Sequence, residues 1–215
     1  MADFINTIDD LGDDAVVDGI IQGTITELKD DTLKTVGPYA FYKCTALESV
    51  TLENAELSVH DEGWHSFHGC TELQSVDLPS ATRLYHETFA NCTKLSKVNV
   101  PLVTRIHLGT FVFCNALESI DLPSLNELRD NAPFQNCPLL KAVILRSETV
   151  CIATVTNIFP NTPIASGTGY IYVPRALVDS YKAATNWSTY AAQFRALEDY
   201  TVDGTVTGDL DEPKI

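Results

Sequence analysis

The chain has 215 residues, enough for one domain with small caps, and 45% of them are hydrophobic, as is ordinary for packed proteins. Its 29 acidic and 14 basic residues give a formal net charge of −15, which disfavours nucleic acid as a partner, since a polyanion attracts cationic proteins. No apolar stretch approaches the roughly 18 residues of a membrane-spanning helix, so membrane insertion is not expected either.

The N-terminal segment, residues 1–32, is acidic and is predicted to form a strand-like cap. Ile20, Ile21 and Ile25 indicate an opening strand. The segment lacks the positive charge and the apolar run of a signal peptide, and its first basic residue is Lys29. We therefore expect a protein that stays in the cell that made it or leaves by a route without a signal peptide.

Residues 33–145 repeat one frame five times, F-x-x-C-x-x-L-x-x-V-x-L, and a proline closes three of the copies, at Pro79, Pro101 and Pro123. Its phenylalanines are Phe41, Phe67, Phe89, Phe111 and Phe134. The cysteines that follow them by three residues are Cys44, Cys70, Cys92, Cys114 and Cys137. The leucines, three residues further on, are Leu47, Leu73, Leu95, Leu117 and Leu140. The V-x-L pairs begin at Val50, Val76, Val98, Ile120 and Val143.

A period of this length predicts a stacked solenoid, with one short strand at each V-x-L pair. Five coils of 22–26 residues would each bury their apolar columns against the coils above and below. The cysteines are interpreted as buried free thiols. A ladder spreads its sulfur atoms along a line, whereas zinc needs converging ligands.

The C-terminal part, residues 146–199, departs from the frame. Ile158 and Phe159 belong to a final irregular coil, and residues 170–173 predict a strand. Pro174 suits the start of a helix, and apolar spacing predicts one helical face after Leu177 and a second from Trp187 to Leu197. We expect a two-helix cap. The polar tail, residues 200–215, should be mobile by itself, and it or the N-terminal segment could support an oligomer.

The repeat frame resembles the BspA-type leucine-rich repeat over about residues 33–145, and residues 171–187 resemble the C-terminal cap that often follows such arrays. The resemblance implies a leucine-rich-repeat solenoid with a surface or recognition role, in proteins of gut bacteria or their phages. A phage virion is therefore the expected location, and a cytoplasmic protein or one exported by a non-classical route is the alternative.

The window before each repeat phenylalanine departs from the family's "I-G-x-x-A". All five histidines lie in or beside it, and stacking should bring the windows together as a stripe of side chains typical of recognition surfaces. The predicted ligand-binding residues, called the stripe below, are His60, Glu62, Trp64, His65, Arg83, Tyr85, His86, Glu87, Arg105, His107, Arg129 and Asp130. Ordinary variation of solvated loops is the alternative interpretation.

No other chemistry is predicted. The chain has no G-x-S-x-G, H-E-x-x-H or phosphate-binding glycine loop, so we expect no enzyme and no cofactor. A metal site among His60, Asp61, Glu62, His65 and His68 was considered, but their spacing matches no established pattern, and no metal ligands are predicted. The outward strand positions, among them Thr51, Asp77, Asn99 and Ile144, are expected to form a solvated face.

The leading hypothesis is a non-enzymatic module that presents the stripe to a protein or a glycan of a host or an assembly. One alternative is a structural virion or assembly component with no ligand of its own. A second alternative is a bacterial surface adhesin.

Overall fold

The chain winds into coils of short strands that stack on one another. The computed structural model describes residues 19–20, 22–57 and 64–200, together with the backbone of the strands Phe4–Ile5, Thr201–Val202 and Thr205–Val206. Parallel pairing between successive coils confirms the predicted solenoid.

The first ladder of parallel strands runs along the V-x-L column. Its strands are β2 (Glu27–Asp30), β4 (Ser49–Leu52), β6 (Ser75–Asp77), β8 (Lys97–Asn99), β10 (Ser119–Leu122), β12 (Ala142–Leu145), β14 (Tyr170–Val173) and β15 (Phe194–Ala196). They form two four-stranded sheets, β2-β4-β6-β8 and β10-β12-β14-β15. Val50, Val76 and Val98 are register partners, so the same column faces inward in each coil.

A second ladder lies one turn further along each coil. Its strands are β1 (Phe4–Ile5), β3 (Thr35–Val36), β5 (Glu56–Leu57), β7 (Arg83–Leu84), β9 (Arg105–Ile106), β11 (Glu127–Leu128) and β13 (Ile152–Ala153). They pair as β1-β3-β5 and β7-β9-β11-β13, again in parallel. The strands β16 (Thr201–Val202) and β17 (Thr205–Val206) pair antiparallel with each other.

The repeat phenylalanines form one continuous stack in the core. Neighbouring rings from Phe41 to Phe134 lie 5.0–5.6 Å apart, nearly parallel, and Phe159 extends the stack with its ring 5.4 Å from that of Phe134. All six rings are fully buried. The final coil that the sequence indicated as irregular therefore keeps the phenylalanine column.

The five cysteines of the repeat frame and Cys151 are all free thiols, and every one of them except Cys44 is buried. Each of four thiols donates a hydrogen bond to the carbonyl oxygen of the phenylalanine in the preceding coil; for Cys70 and Phe41 the Sγ···O distance is 3.0 Å. Burial raises the pKa of Cys44 and of Cys137 to about 12. These thiols are thus structural.

The C-terminal cap contains short helical segments, as predicted, but they are shorter than the sequence indicated. Helix α1 (Pro163–Ser166) precedes β14, and helix α2 (Val178–Ala183) follows a 3₁₀ turn at Arg175–Leu177. The second predicted helix is a 3₁₀ segment, Ser188–Gln193. It ends where the chain turns into strand β15, since Phe194 pairs with Ile171 in the sheet.

Two further details correct the sequence-based expectations. Ile20 lies in helical backbone, and Ile25 precedes strand β2, which begins at Glu27. On the outward face of the first ladder Ile144 is 5% exposed, so this end of the face is covered and not solvated. No helix in the described part of the chain is long and apolar enough to cross a membrane.

Candidate functional site

The stripe lies where each coil leaves the second ladder and turns toward its phenylalanine. Stacking of the coils brings the described members together on one side of the solenoid. His60 and Glu62, which were predicted to belong to the stripe, lie outside the described residues.

The backbone of the stripe is set by a left-handed turn that recurs two residues before each repeat phenylalanine. His65, Glu87 and Gly109 occupy this position with φ of 74°, 50° and 60°. Hydrogen bonds between coils hold it, from the His65 amide to the His86 carbonyl and from the Glu87 amide to the Leu108 carbonyl. Positive φ is unfavourable for a residue other than glycine, and the packing of neighbouring coils offsets this cost.

The first group of titratable side chains, called the His65 cluster, consists of His65, His68 and Glu87. Nδ1 of His65 lies 3.3 Å from Oε2 of Glu87, and Nδ1 of His68 lies 3.2 Å from the same oxygen. All three ligand atoms lie within 4.8 Å of one another. Both Nδ1 atoms are buried and have no well-formed hydrogen bond.

Tyrosines of the first coil surround this cluster. The ring of Tyr39 lies 5.2 Å from that of His65, and the ring of Tyr42 lies 5.3 Å from that of His68. Sequence reasoning did not select Tyr39, Tyr42 or His68. Tyr39 occupies the same repeat column as His65, and Tyr42 the same column as His68, so alignment of the columns would have identified both tyrosines.

The second group, called the His86 cluster, consists of His86, His107 and Asp130. Oδ2 of Asp130 forms hydrogen bonds with Nε2 of His86 at 3.2 Å and with Nδ1 of His107 at 3.3 Å. The ring of Trp64 lies 4.5 Å from that of His86, and Tyr85 stacks on His107 at 5.6 Å. Five of the predicted residues therefore lie against one another: Trp64, Tyr85, His86, His107 and Asp130.

The arginines of the stripe lie along the second ladder. Arg105 and Arg129 both contact Glu127, with Nε···O distances of 2.6 and 2.8 Å. The hydrogen bond from Arg129 lowers the pKa of Glu127, burial opposes the effect, and the contact with Arg105 adds to it. Arg83 is exposed and aligns with Arg105 in the strand register. Glu127, which the sequence analysis passed over, thus orients two of the three predicted arginines.

Burial favours the neutral form of two histidines, His107 of the stripe and His68 beside it. It lowers the pKa of His68 and of His107, although Glu87 and Asp130 act in the opposite direction. The neighbouring histidines His65 and His86 reinforce the lowering. Both rings are therefore mostly neutral at pH 7, and a neutral imidazole keeps one nitrogen lone pair free to accept a hydrogen bond or bind a metal.

The stripe and the two tyrosines beside it, Tyr39 and Tyr42, carry exposed aromatic rings. Tyr39, Tyr42 and Trp64 are 46%, 40% and 36% exposed. An open surface of this kind suits contact with another molecule over a broad area.

Comparison with known proteins identifies the repeats. A family model for the BspA type leucine rich repeat region matches residues 24–141 in six copies, one more than the five frames that the sequence analysis counted. No curated protein matches the chain significantly.

Three solved structures are similar to the chain. A leucine-rich repeat protein from Bacteroides ovatus matches at 22% identity and a TM-score of 0.57, over 80% of this chain and 42% of that one. A T. pallidum leucine rich repeat protein matches at 28% identity and a TM-score of 0.48, over 57% of this chain and 56% of that one. A leucine rich cell surface protein from Faecalibacterium prausnitzii matches at 22% identity and a TM-score of 0.40, over 55% of this chain and 38% of that one.

The chain thus spans between 38% and 56% of the lengths of these three proteins. The likeness to the Bacteroides structure shows the fold alone. The repeat match, which extends over more than half of the chain, places it in a family: the chain belongs to the BspA-type leucine-rich-repeat proteins.

Proposed function

We propose that the chain is a non-enzymatic recognition module that binds a partner protein through the stripe. The observation that carries the proposal is the group of exposed rings, Tyr39, Tyr42 and Trp64, beside two histidine–carboxylate clusters. Tyrosine and tryptophan offer large contact areas with few rotatable bonds, and they dominate the binding energy of many protein interfaces.

The surrounding geometry supports the same function. Cross-coil hydrogen bonds hold the backbone of the stripe, so a partner would meet a largely preorganised surface and little ordering would be lost on binding. The carboxylates of Glu87 and Asp130 and the arginines along the second ladder add polar groups at the edge of the aromatic patch.

Binding to intact cells of gut bacteria tests the proposal. The double variant Tyr42→Ala with Trp64→Ala should reduce binding of the labelled chain at least about tenfold, because two hot-spot rings are removed. Leu102→Ala is the matched control, since Leu102 is also an exposed apolar side chain but lies in the turn after β8. Equal binding by the double variant and the control would contradict the proposal and favour a purely structural role.

Treatment of the cells distinguishes the class of partner. Mild protease treatment should abolish binding of the unaltered chain, and periodate oxidation of surface sugars should leave it intact. The opposite result would identify a glycan as the ligand.

We further propose that the module acts on a phage virion, an inference that rests on the family resemblance and not on the stripe. Mass spectrometry of purified particles should then detect the chain in a fixed ratio to the capsid protein. Its recovery with the bacterial envelope instead would identify a surface adhesin.

A further inference from the structure

We propose that His65, His68 and Glu87 form a binding site for a divalent transition-metal ion of the zinc type. The site contains two residues of the stripe, His65 and Glu87, but the inference is independent of the proposed partner protein, because the ion alone serves as the probe. The sequence predicted no metal ligands, and the spacing of the two histidines by itself did not indicate a site.

The separation of the ligand atoms fits a bound ion. Zinc binds histidine nitrogen and carboxylate oxygen at about 2.0–2.2 Å in tetrahedral geometry, so two of its ligand atoms lie about 3.3 Å apart. The two Nδ1···Oε2 distances in the His65 cluster are 3.3 and 3.2 Å. The two Nδ1 atoms lie within 4.8 Å of each other, so one ion would contact all three side chains once rotation of the imidazoles closes this separation.

The missing hydrogen bonds point in the same direction. Nδ1 of His65 and Nδ1 of His68 are buried, and both approach Glu87 without the alignment that a hydrogen bond requires. A buried nitrogen without a partner costs free energy. An ion between the three groups would satisfy both lone pairs and the carboxylate at once.

The surroundings of the site suit a metal ligand. The Nδ2 atom of Asn91 lies 3.3 Å from Nε2 of His68, on the far side of the ring. Rotation of this amide by half a turn presents the Asn91 oxygen to the ring. The oxygen then accepts a hydrogen bond from Nε2–H of His68, which leaves Nδ1 free to bind the ion. Metal-binding histidines usually have such a partner.

The charges and the exposure of the site also fit. Glu87 supplies one negative charge in a chain of net charge −15, while Lys43, the nearby cation, opposes binding. The three side chains are 18–38% exposed, so a fourth position is accessible to water. Two imidazoles with one carboxylate suit zinc and its neighbours in the transition series and not calcium or magnesium.

The His86 cluster serves as the internal comparison. Its three ligand atoms are equally close, but Asp130 forms hydrogen bonds with both rings. If Nε2 of His86 bound an ion, Nδ1 would have to carry the proton, and Nδ1 is buried without an acceptor. We therefore assign the ion to the His65 cluster.

Titration of the metal-free full chain with Zn²⁺ and with Co²⁺ tests the assignment. One equivalent should bind, and the Co²⁺ spectrum should show bands of nitrogen and oxygen ligation without a thiolate charge-transfer band. His65→Ala, His68→Ala and Glu87→Gln should each weaken binding of that equivalent by more than about 100-fold, since the alanine variants remove a nitrogen ligand and Glu87→Gln removes the charge of the carboxylate. Asp130→Asn is the matched control and should leave it unchanged.

Circular dichroism should confirm that each variant is folded, and Glu87→Gln is the most informative one because it preserves the volume of the side chain. A crystal soaked in zinc should show an anomalous peak about 2.0–2.2 Å from both Nδ1 atoms. Unchanged affinity in Glu87→Gln, loss of the same equivalent in Asp130→Asn, a peak elsewhere, or no binding of Zn²⁺ to the unaltered chain would overturn the proposal.

Discussion

Four cysteines of the repeat frame, Cys70, Cys92, Cys114 and Cys137, each combine two properties that neither a smaller nor a more polar residue would offer. The sulfur fills the core beside the phenylalanine stack, and the S–H group donates to a carbonyl oxygen of the neighbouring coil, as from Cys92 to Phe67 at 3.1 Å. Alanine would leave this buried carbonyl without the donor, and serine would bring a more strongly hydrated group into an apolar site.

The raised pKa of the buried thiols predicts that the protein loses stability at alkaline pH. Burial raises the pKa of Cys137 and of Cys151 to about 12, whereas the pKa of an ordinary exposed thiol is 9.0. Above pH 9 the unfolded chain releases these protons and the folded chain retains them, so stability is fully present below pH 9 and falls as the pH rises toward 12. Each such thiol contributes a slope of about 1.4 kcal/mol per pH unit.

Urea unfolding at several pH values from 8 to 11, under reducing conditions, measures this slope. Cys137→Ala provides the comparison, because it removes one of the titrating thiols. We expect a shallower decline of the free energy of unfolding in the variant. Parallel declines in the two proteins would show that Cys137 does not titrate with the expected shift.

At the scale of the element, the short turns between the second ladder and the phenylalanines decide the geometry of the stripe. Each turn places a residue at positive φ two positions before the phenylalanine, which aims the side chains of His65 and Glu87 toward each other across neighbouring coils. In the fourth coil the same position is Gly109, whose missing side chain leaves room for Glu87.

Gly109→Ala should therefore destabilise the protein by about 1–2 kcal/mol, the cost of placing a non-glycine residue in this backbone region. The added Cβ would lie 3.2 Å from Cγ of Glu87 and 3.3 Å from Cγ2 of Val112, so it would also press on the stripe. Chemical denaturation measures the change in stability.

Ala132→Gly is the matched control, because Ala132 occupies the equivalent position in the next coil with φ of 54°. Glycine there relieves the same conformational cost, and we expect the stability to be retained or increased. A stable Gly109→Ala protein would show that the turn adapts without strain.

At the scale of the whole molecule, stability depends on stacking that continues from one end to the other, because each coil contacts only its neighbours. The described C-terminal cap ends the stack by covering the last coil with aromatic side chains. Nε1 of Trp187 donates a hydrogen bond to the carbonyl oxygen of Cys151 at 2.6 Å. The hydroxyl oxygen of Tyr190 accepts hydrogen bonds from the backbone N–H groups of Ile158 and Phe159.

Removal of the cap's central ring should consequently weaken the whole array. Trp187 is 1% exposed, and Trp187→Ala should cost about 3–5 kcal/mol through the cavity and the lost hydrogen bond. Thermal unfolding followed by circular dichroism should show a lower melting temperature, whereas Leu102→Ala at an exposed position should change it little. A melting temperature equal to that of the unaltered chain would mean that the cap does not contribute to the stability of the repeats.

The sequence by itself determined the architecture. The columns of phenylalanine, cysteine, leucine and valine recur at nearly constant spacing, and only stacked coils bury them, so the solenoid, the strands of its first ladder and the buried thiols followed from periodicity. The strands of the second ladder were not predicted. The same columns located the window that contains the stripe, since its residues vary while the apolar frame persists.

Only the tertiary structure decided which side chains meet across coils. His65 and Glu87 are 22 residues apart, and the 3.3 Å between their side chains depends on coil stacking and on turns of positive φ that the spacing of residue types does not encode. The cap illustrates the same limit: the apolar pattern after Trp187 suits a helix, but pairing of Phe194 with Ile171 extends the sheet instead. Tertiary hydrogen bonds outweigh local preference at such positions, and these bonds exist only once the coils are stacked.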